Sequence, residues 1–555
     1  MSTDNKEKLD IYVNSIQQAS ENELSTNEVK TEANELWMFD EPDIHTRMFY
    51  AQRSIEAQYN EISKNNNNFK IWNNLIFKSL KIESLNDNGI EYPKWVNNNL
   101  SIRTTHWIIG VGLVTSEIMG AYLVPNSISM LGYIPSNIML VIFFLVTIAA
   151  GGSIWWVFLL FDSPEYPVKT FADLAYIVGG QTCKQIVIFL QLIATLLSSA
   201  TILISAAECV IILRSNRMCW VGLMILLAGI MMILSHIKSL SSLGKYCLII
   251  SFFYYINLFV QLGYIGHSEP NWGNALSVLG IEKGIIETFG ITPDQSLMNK
   301  VVAICNISFV FAGSIVFPEV ISEMRRPWEF WKSMCLAQIL ILVVYLIYGN
   351  YIYSYQGQFS NSPAVFGISN INALKGLSFM TFITGFIQNI FYGHISCKIV
   401  YKNYMPLIFK TIKFKSKRGL LLWSITVLIV WIIIFIIGAG VPQVSAVSAF
   451  TSALTMIPLT YIIPFLVHLF ALYKMANENN IKDFIPLKGS DINKPSIIEY
   501  IKCGYKKYWF ITNFYIIFCL ASISFSGLGL WASVEYIKYI FNVTDATSFS
   551  CTSPI

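Results

Sequence analysis

Apolar residues in this chain gather into long, nearly unbroken runs, unlike the stripe of a water-facing helix or the alternation of a strand. Runs long enough to cross a ~30 Å hydrocarbon layer lie near 105–129, 138–161, 186–213, 218–236, 246–266, 299–322, 334–355, 374–397, 420–438, 443–472 and 509–533. The pattern predicts an all-α membrane protein with eleven transmembrane helices. The third and tenth runs are long enough to tilt or to extend past the bilayer. The first hundred residues lack the apolar segment that a cleavable signal peptide requires.

Two of these runs are interrupted in the same way, about 190 residues apart. The first reads Gly120-Ala-Tyr-Leu-Val-Pro125-Asn-Ser-Ile128-Ser129 and the second Gly313-Ser-Ile-Val-Phe-Pro318-Glu-Val-Ile321-Ser322, both Gly-x4-Pro-x2-Ile-Ser. Glycine and proline break helices, and a spanning helix tolerates a break only where its freed backbone groups find protein, water or a ligand. Interrupted spans at corresponding places in two halves point to the binding site of a secondary transporter.

Composition fits a membrane chain: 54% of residues are hydrophobic and only 13% are charged, against about 25% charged in a soluble domain. With the N-terminus placed in the cytoplasm, the inward loops hold 21 Lys and Arg residues and the outward loops and tail hold 6. The positive-inside rule therefore favours a cytoplasmic N-terminus and an external C-terminus. The basic stretch 410–418 is a topology device under this rule, so no nucleic-acid partner is expected. Residues 1–100 are expected to form a cytoplasmic, largely disordered region, because residues 1–40 carry nine Asp and Glu with no periodic apolar face. Residues 101–535 are expected to form the membrane domain, in contact with lipid, and 536–555 a short external tail. The ten cysteines are scattered without metal or redox spacing, and each is expected to act as a small buried hydrophobe. With no P-loop, zinc protease motif or catalytic cluster, neither an enzyme nor a cofactor is expected, and transport would draw on an ion gradient.

The segment from Val302 to Trp328, with Gly313, Pro318, Glu323-Met-Arg-Arg and Pro327, resembles the sixth span of the amino acid/auxin permease family. Glu117-Ile-Met-Gly120 with Pro125 and Leu131-Gly132 resembles its first span, and the resemblance, which covers roughly 100–535, is particularly to the fungal neutral amino acid permease branch. One departure is Ile118-Met119, where members often carry a second small residue. The resemblance implies five-plus-five inverted repeats with helices 1 and 6 broken, and an amino acid substrate.

A zwitterion needs partners for its carboxylate and its ammonium. The end of a broken helix supplies both kinds, free N–H groups on one half and free carbonyls on the other. The first break is expected around Thr115, Ser116, Glu117 and Gly120, offering N–H groups to the carboxylate. The second is expected around Phe311, Ala312, Gly313 and Ser314, offering carbonyls to the ammonium, with Phe309 and Phe311 walling the side-chain pocket. Glu117 is a carboxylate in mid-span and by default a proton relay, with Glu208 and Glu319 competing for that role. Thr381 and Thr384 resemble the hydroxyls with which related folds complete a cation site, so sodium is the alternative coupling ion. Proton-coupled symport of neutral amino acids at the plasma membrane is the expected function. The alternatives are a vacuolar exporter and a non-transporting receptor.

Overall fold

The computed structural model describes residues 103, 105–117, 120–163, 166–214, 218–236, 243–293, 295–405, 417–441, 443–476, 497–543 and 548–552, with residues 47, 48, 51 and 54 before them. The expectations for residues 1–100 otherwise lie outside the described residues, as do the side chains of Ser116 and Glu117. Among the described residues the fold is helical, with isolated bridges (Thr105 to Met324 and Pro270 to Ile368) in place of strands.

In chain order the helices are α1 (Trp107–Glu117), α2 (Val124–Leu131), α3 (Tyr133–Phe161), α4 (Phe171–Leu213), α5 (Trp220–Leu234), α6 (Leu243–Ile265), α7 (Leu297–Val310) and α8 (Phe317–Glu323), setting aside the short helix Trp272–Asn274. There follow α9 (Phe330–Gln356), α10 (Ile371–Ile399), α11 (Lys417–Gly440), α12 (Val444–Thr451), α13 (Ile463–Ala476) and α14 (Ile497–Val543). Each of the eleven expected runs contains helix. Among the described residues seven stretches are long and apolar enough to cross a membrane, and α5 and most of α6 are shorter apolar helices. Helix α10 falls outside that set because Lys375, Gln388, Asn389 and His394 dilute its apolar character.

Local chemistry sets several boundaries that hydropathy misplaces. Helix α4 begins at Phe171, well before the apolar run, because Thr170 and Asp173 form a reciprocal capping box. Gly180, with φ 74°, kinks this polar lead-in away from the span; L side chains avoid that backbone region. Helix α14 continues to Val543, so the last helix runs past residue 535, into the segment expected to be tail.

Long-range polar bonds knit the helices within two groups, and others cross between the groups, such as Tyr348 to Gln261 and Ala121 N to Tyr254. The first ties the first, second, sixth and seventh spans. Arg103 donates two bonds to Asp162, at 2.7 and 2.8 Å, and Thr105 N donates to Glu323 O at 3.1 Å. Trp155 Nε1 donates to Pro327 O at 3.0 Å. Ser333 Oγ donates to Trp107 O at 2.7 Å, and Asn137 and Asn350 exchange amide bonds at 2.9 and 3.0 Å. The second set joins α4, α5, α6, α10 and α11. Ser396 donates to Thr195 at 2.8 Å, Trp431 Nε1 to Ser235 at 3.1 Å and Asn257 Nδ2 to Thr381 at 2.9 Å.

Two cysteines depart from the expectation of small hydrophobes. Cys219, just before α5, is disulfide-bonded to Cys551, with their Cα atoms 4.4 Å apart. Around it the tail lies over the ends of two helices. Trp220 N donates to Cys551 O at 3.1 Å, Phe549 N to Ala439 O at 3.1 Å and Ser548 Oγ to Gly440 O at 2.7 Å.

Candidate functional site

Both copies of the repeated motif fold alike. In each, a 3-10 turn lies at the glycine (Ala121–Leu123 directly after Gly120, Gly313–Val316 beginning at Gly313), and the chain resumes as α2 or α8 with proline in its first turn. That position suits proline, whose missing N–H would have no intrahelical partner there. The isoleucines, Ile128 and Ile321, are fully buried. The serines act identically: Ser129 Oγ donates to Asn126 O and Ser322 Oγ to Glu319 O, each at 2.7 Å.

The two breaks meet. A Cβ built on Gly120 would lie 2.5 Å from Val310 Cγ1, so the last turn of α7 packs directly on the glycine. Side-chain hydroxyls from surrounding helices seal the exposed backbone. Gly120 N donates to the Tyr345 hydroxyl at 3.3 Å and Ala121 N to the Tyr254 hydroxyl at 3.1 Å. Tyr345 in turn donates to Val310 O at 3.1 Å, so one hydroxyl touches both breaks. Tyr461 donates to Ser308 O and Thr147 to Phe311 O, each at 3.3 Å. Gln191 Nε2 reaches Ile315 O at 3.2 Å and Glu319 Oε1 at 3.4 Å. In a membrane such capping is what makes broken helices tolerable. Opposite, α12 and the π-helical turns Ser452–Met456 and Pro458–Ile462 set a polar face on α7. There Asn306 donates to Ser445, Ser448 donates to Asn306 (2.9 and 2.7 Å), and Ser308 bonds Ser452.

The structure brings Gly120, Phe311, Ala312, Gly313 and Ser314 to this junction. All are buried, and the Ser314 hydroxyl has no partner. Phe311 stacks edge-on against Tyr345, with ring centroids 5.4 Å apart, while Phe309 is half-buried and packed on the core. Thr115 bonds its own helix at Gly112 O, 3.0 Å. The threonines of α10 bond elsewhere: Thr381 to Leu377 O and Asn257, Thr384 to Met380 O and Thr381 O. Glu208 is 2% exposed, and its Oε2 has no partner. Sequence reading named none of Thr147, Tyr254, Tyr345 or Tyr461. Their only signal was a hydroxyl inside an apolar run.

Two interrupted spans packed against each other inside a helical membrane protein define a membrane transporter. The family model for transmembrane amino acid transporter proteins matches residues 103–483, and the chain belongs to that family, one of transporters and not of enzymes. A protein of Fusarium pseudograminearum described as a transmembrane transporter is 25% identical over 190 residues, which is 32% of this chain and 38% of that protein. The chain thus spans well under half the length of that relative. A mutant manganese transporter from Eremococcus coleocola is similar over 81% of this chain and 97% of its own, at 12% identity and a TM-score of 0.39.

Proposed function

We propose that this chain is a proton-coupled symporter of neutral amino acids. It has eleven spans in five-plus-five inverted repeats, a cytoplasmic N-terminus and a place in the plasma membrane. The observation that carries the reading is the contact of two identically folded breaks at Gly120 and Val310. The N–H groups of Gly120 and Ala121 and the carbonyls of Val310 and Phe311 all lie at the junction, bonded to the hydroxyls of Tyr345, Tyr254 and Thr147, which a substrate would displace. That is the pairing a zwitterion requires, with the Ser314 hydroxyl as a further contact. Phe311, edge-on against Tyr345, suits an uncharged side chain. In this reading the first, second, sixth and seventh spans rock against the rest, and the polar bonds that cross between the two groups, such as Tyr348 to Gln261, break and re-form.

The tail disulfide supports the orientation, because disulfides persist on oxidising faces and Cys219 and Cys551 would both be external with the N-terminus inside. The same disulfide suits a vacuolar lumen, which keeps the exporter as the second reading. Purified protein in vesicles with an imposed inward proton gradient is the test. Labelled alanine, leucine and glutamine, offered in turn, should show at least one accumulating above its external concentration without sodium. Uptake that follows sodium at fixed pH, or binding without uptake, contradicts the proposal.

A further inference from the structure

We propose that Glu208, in α4, binds the coupling proton, an inference that rests on the symport reading above. The other carboxyls that the described membrane domain buries or half-buries all have partners. Asp162 takes both bonds of Arg103 and Asp173 closes the capping box of α4. Glu329 pairs with Lys332 at 3.1 Å and Arg326 at 3.9 Å. Glu319 accepts from Gln191 through Oε1, its Oε2 being unpartnered, and it sits in the first turn of α8, where an acid has an ordinary structural reason to sit. Among the described residues Glu208 alone of these accepts no hydrogen bond and forms no ion pair; it is 2% exposed and its Oε2 is unpartnered.

Buried polar atoms that serve structure are hydrogen-bonded, and an ionised carboxylate taken out of water without a counter-ion is strongly disfavoured. Such a group holds a proton or a cation when the site is closed and gives it up when water returns. Its neighbours match that use. The Tyr122 hydroxyl, in the 3-10 turn of the first break, and the Cys209 thiol beside it are the groups within electrostatic reach. Of the other helices packed on α4, α5 and α12 carry no charged residue. The Lys, Arg and His residues of α10, α11 and α13, namely Lys375, His394, Lys398, Lys417, Arg418, His468 and Lys474, make no ion pair with Glu208, and the uncharged titratable groups there are Tyr392, Cys397 and Tyr473; α8 brings Glu319 and Glu323.

Position fits the role too. Glu208 lies five residues before the end of α4, roughly 7 Å along the helix, on the side proposed to be external. It stands on the fixed set of helices and faces the first break on the other set. Proton uptake from outside converts the carboxylate to a neutral acid and removes the charge that opposes closure of Tyr122 over α4. Rocking then delivers the proton with the substrate.

The test uses Glu208→Gln, which keeps shape but cannot titrate, and Glu208→Asp, which can. In vesicles the wild type should accumulate its best labelled amino acid by up to about tenfold per unit of pH gradient at one proton per substrate. Glu208→Gln should hold that ratio near one, and its exchange rate should lose dependence on pH. Glu208→Asp should keep accumulation with a displaced pH profile, which covers the case where the glutamine variant does not fold. Retained pH-driven accumulation in Glu208→Gln, or its loss in Glu208→Asp, overturns the proposal. A second readout needs no transport: the infrared difference spectrum of purified protein between acid and alkaline buffer. A protonated-carboxyl band that vanishes in Glu208→Gln keeps the assignment even if the wild type proves not to be proton-driven. An identical band in both proteins overturns it.

Discussion

Replacing Gly120 with alanine probes the contact between the two breaks. The new Cβ would stand 2.5 Å from Val310 Cγ1 and 3.0 Å from Val310 Cβ, whereas carbon atoms settle at about 3.5–4.0 Å. Roughly 1 Å of separation must therefore be found. Val310 is 2% exposed, and its β-branched side chain has little rotamer freedom in a helix. Overpacking of this kind costs about 1–3 kcal/mol. The backbone at Gly120, with φ −117°, accepts alanine, and the stiffer unfolded chain returns about 0.4–1 kcal/mol. The net expectation is a destabilisation of about 1–2 kcal/mol. Val310→Ala alone should cost about 2 kcal/mol for its two buried methyl groups. If the clash is the cause, the double variant recovers space and falls short of the sum by about 1–2 kcal/mol. Equilibrium unfolding in mixed micelles titrated with dodecyl sulfate, run on all four proteins, measures the cycle. Strictly additive effects would show that the breaks do not touch at these residues.

Further outcomes follow from other contacts. Tyr345→Phe frees Gly120 N–H and Val310 C=O together and should destabilise by about 1–3 kcal/mol, read in the same titration; no change would mean the hydroxyl seals nothing. Asp162→Asn leaves the Arg103 charge half-buried without its counter-ion and should cost about 3 kcal/mol, restored in part by Arg103→Met in the same background. In intact cells an impermeant maleimide should label the Cys219–Cys551 pair only after external reductant, and labelling without reductant would contradict the bridge. Under the proposed orientation, Lys415→Cys should stay unlabelled from outside, whereas external labelling would reverse the topology.

The breaks were legible because glycine and proline act through their own backbone chemistry, which needs no partner to be known. Pro125 and Pro318 define where the half-helices resume, and Ser129 and Ser322 bond three residues back, all local events. The groups that seal the breaks were not legible. Tyr345 reaches Gly120 across 225 residues, and a tyrosine inside an apolar run looks the same whether it caps a break or packs on lipid. The disulfide was missed for a related reason: its cysteines are 332 residues apart, and only the packing of the tail over α5 and α11 pairs them. The helix face of Thr381 was legible, whereas Asn257 on α6, which donates to its hydroxyl, was not. Glu208, read as nearer the outer interface because Arg214 follows it, lies buried without that arginine as a partner.

The joined breaks as the amino acid site are tested most directly by equilibrium binding to Gly313→Val, beside the wild type. Gly313 is buried at the start of the second 3-10 turn, where a β-branched side chain fills the space between backbone and substrate. With the variant folded and monodisperse, labelled alanine, leucine or glutamine, whichever the wild type binds best, should lose binding by about a hundredfold or more, on the order of 3 kcal/mol. Unchanged affinity in that variant would mean that the second break is only a kink and that the substrate binds elsewhere.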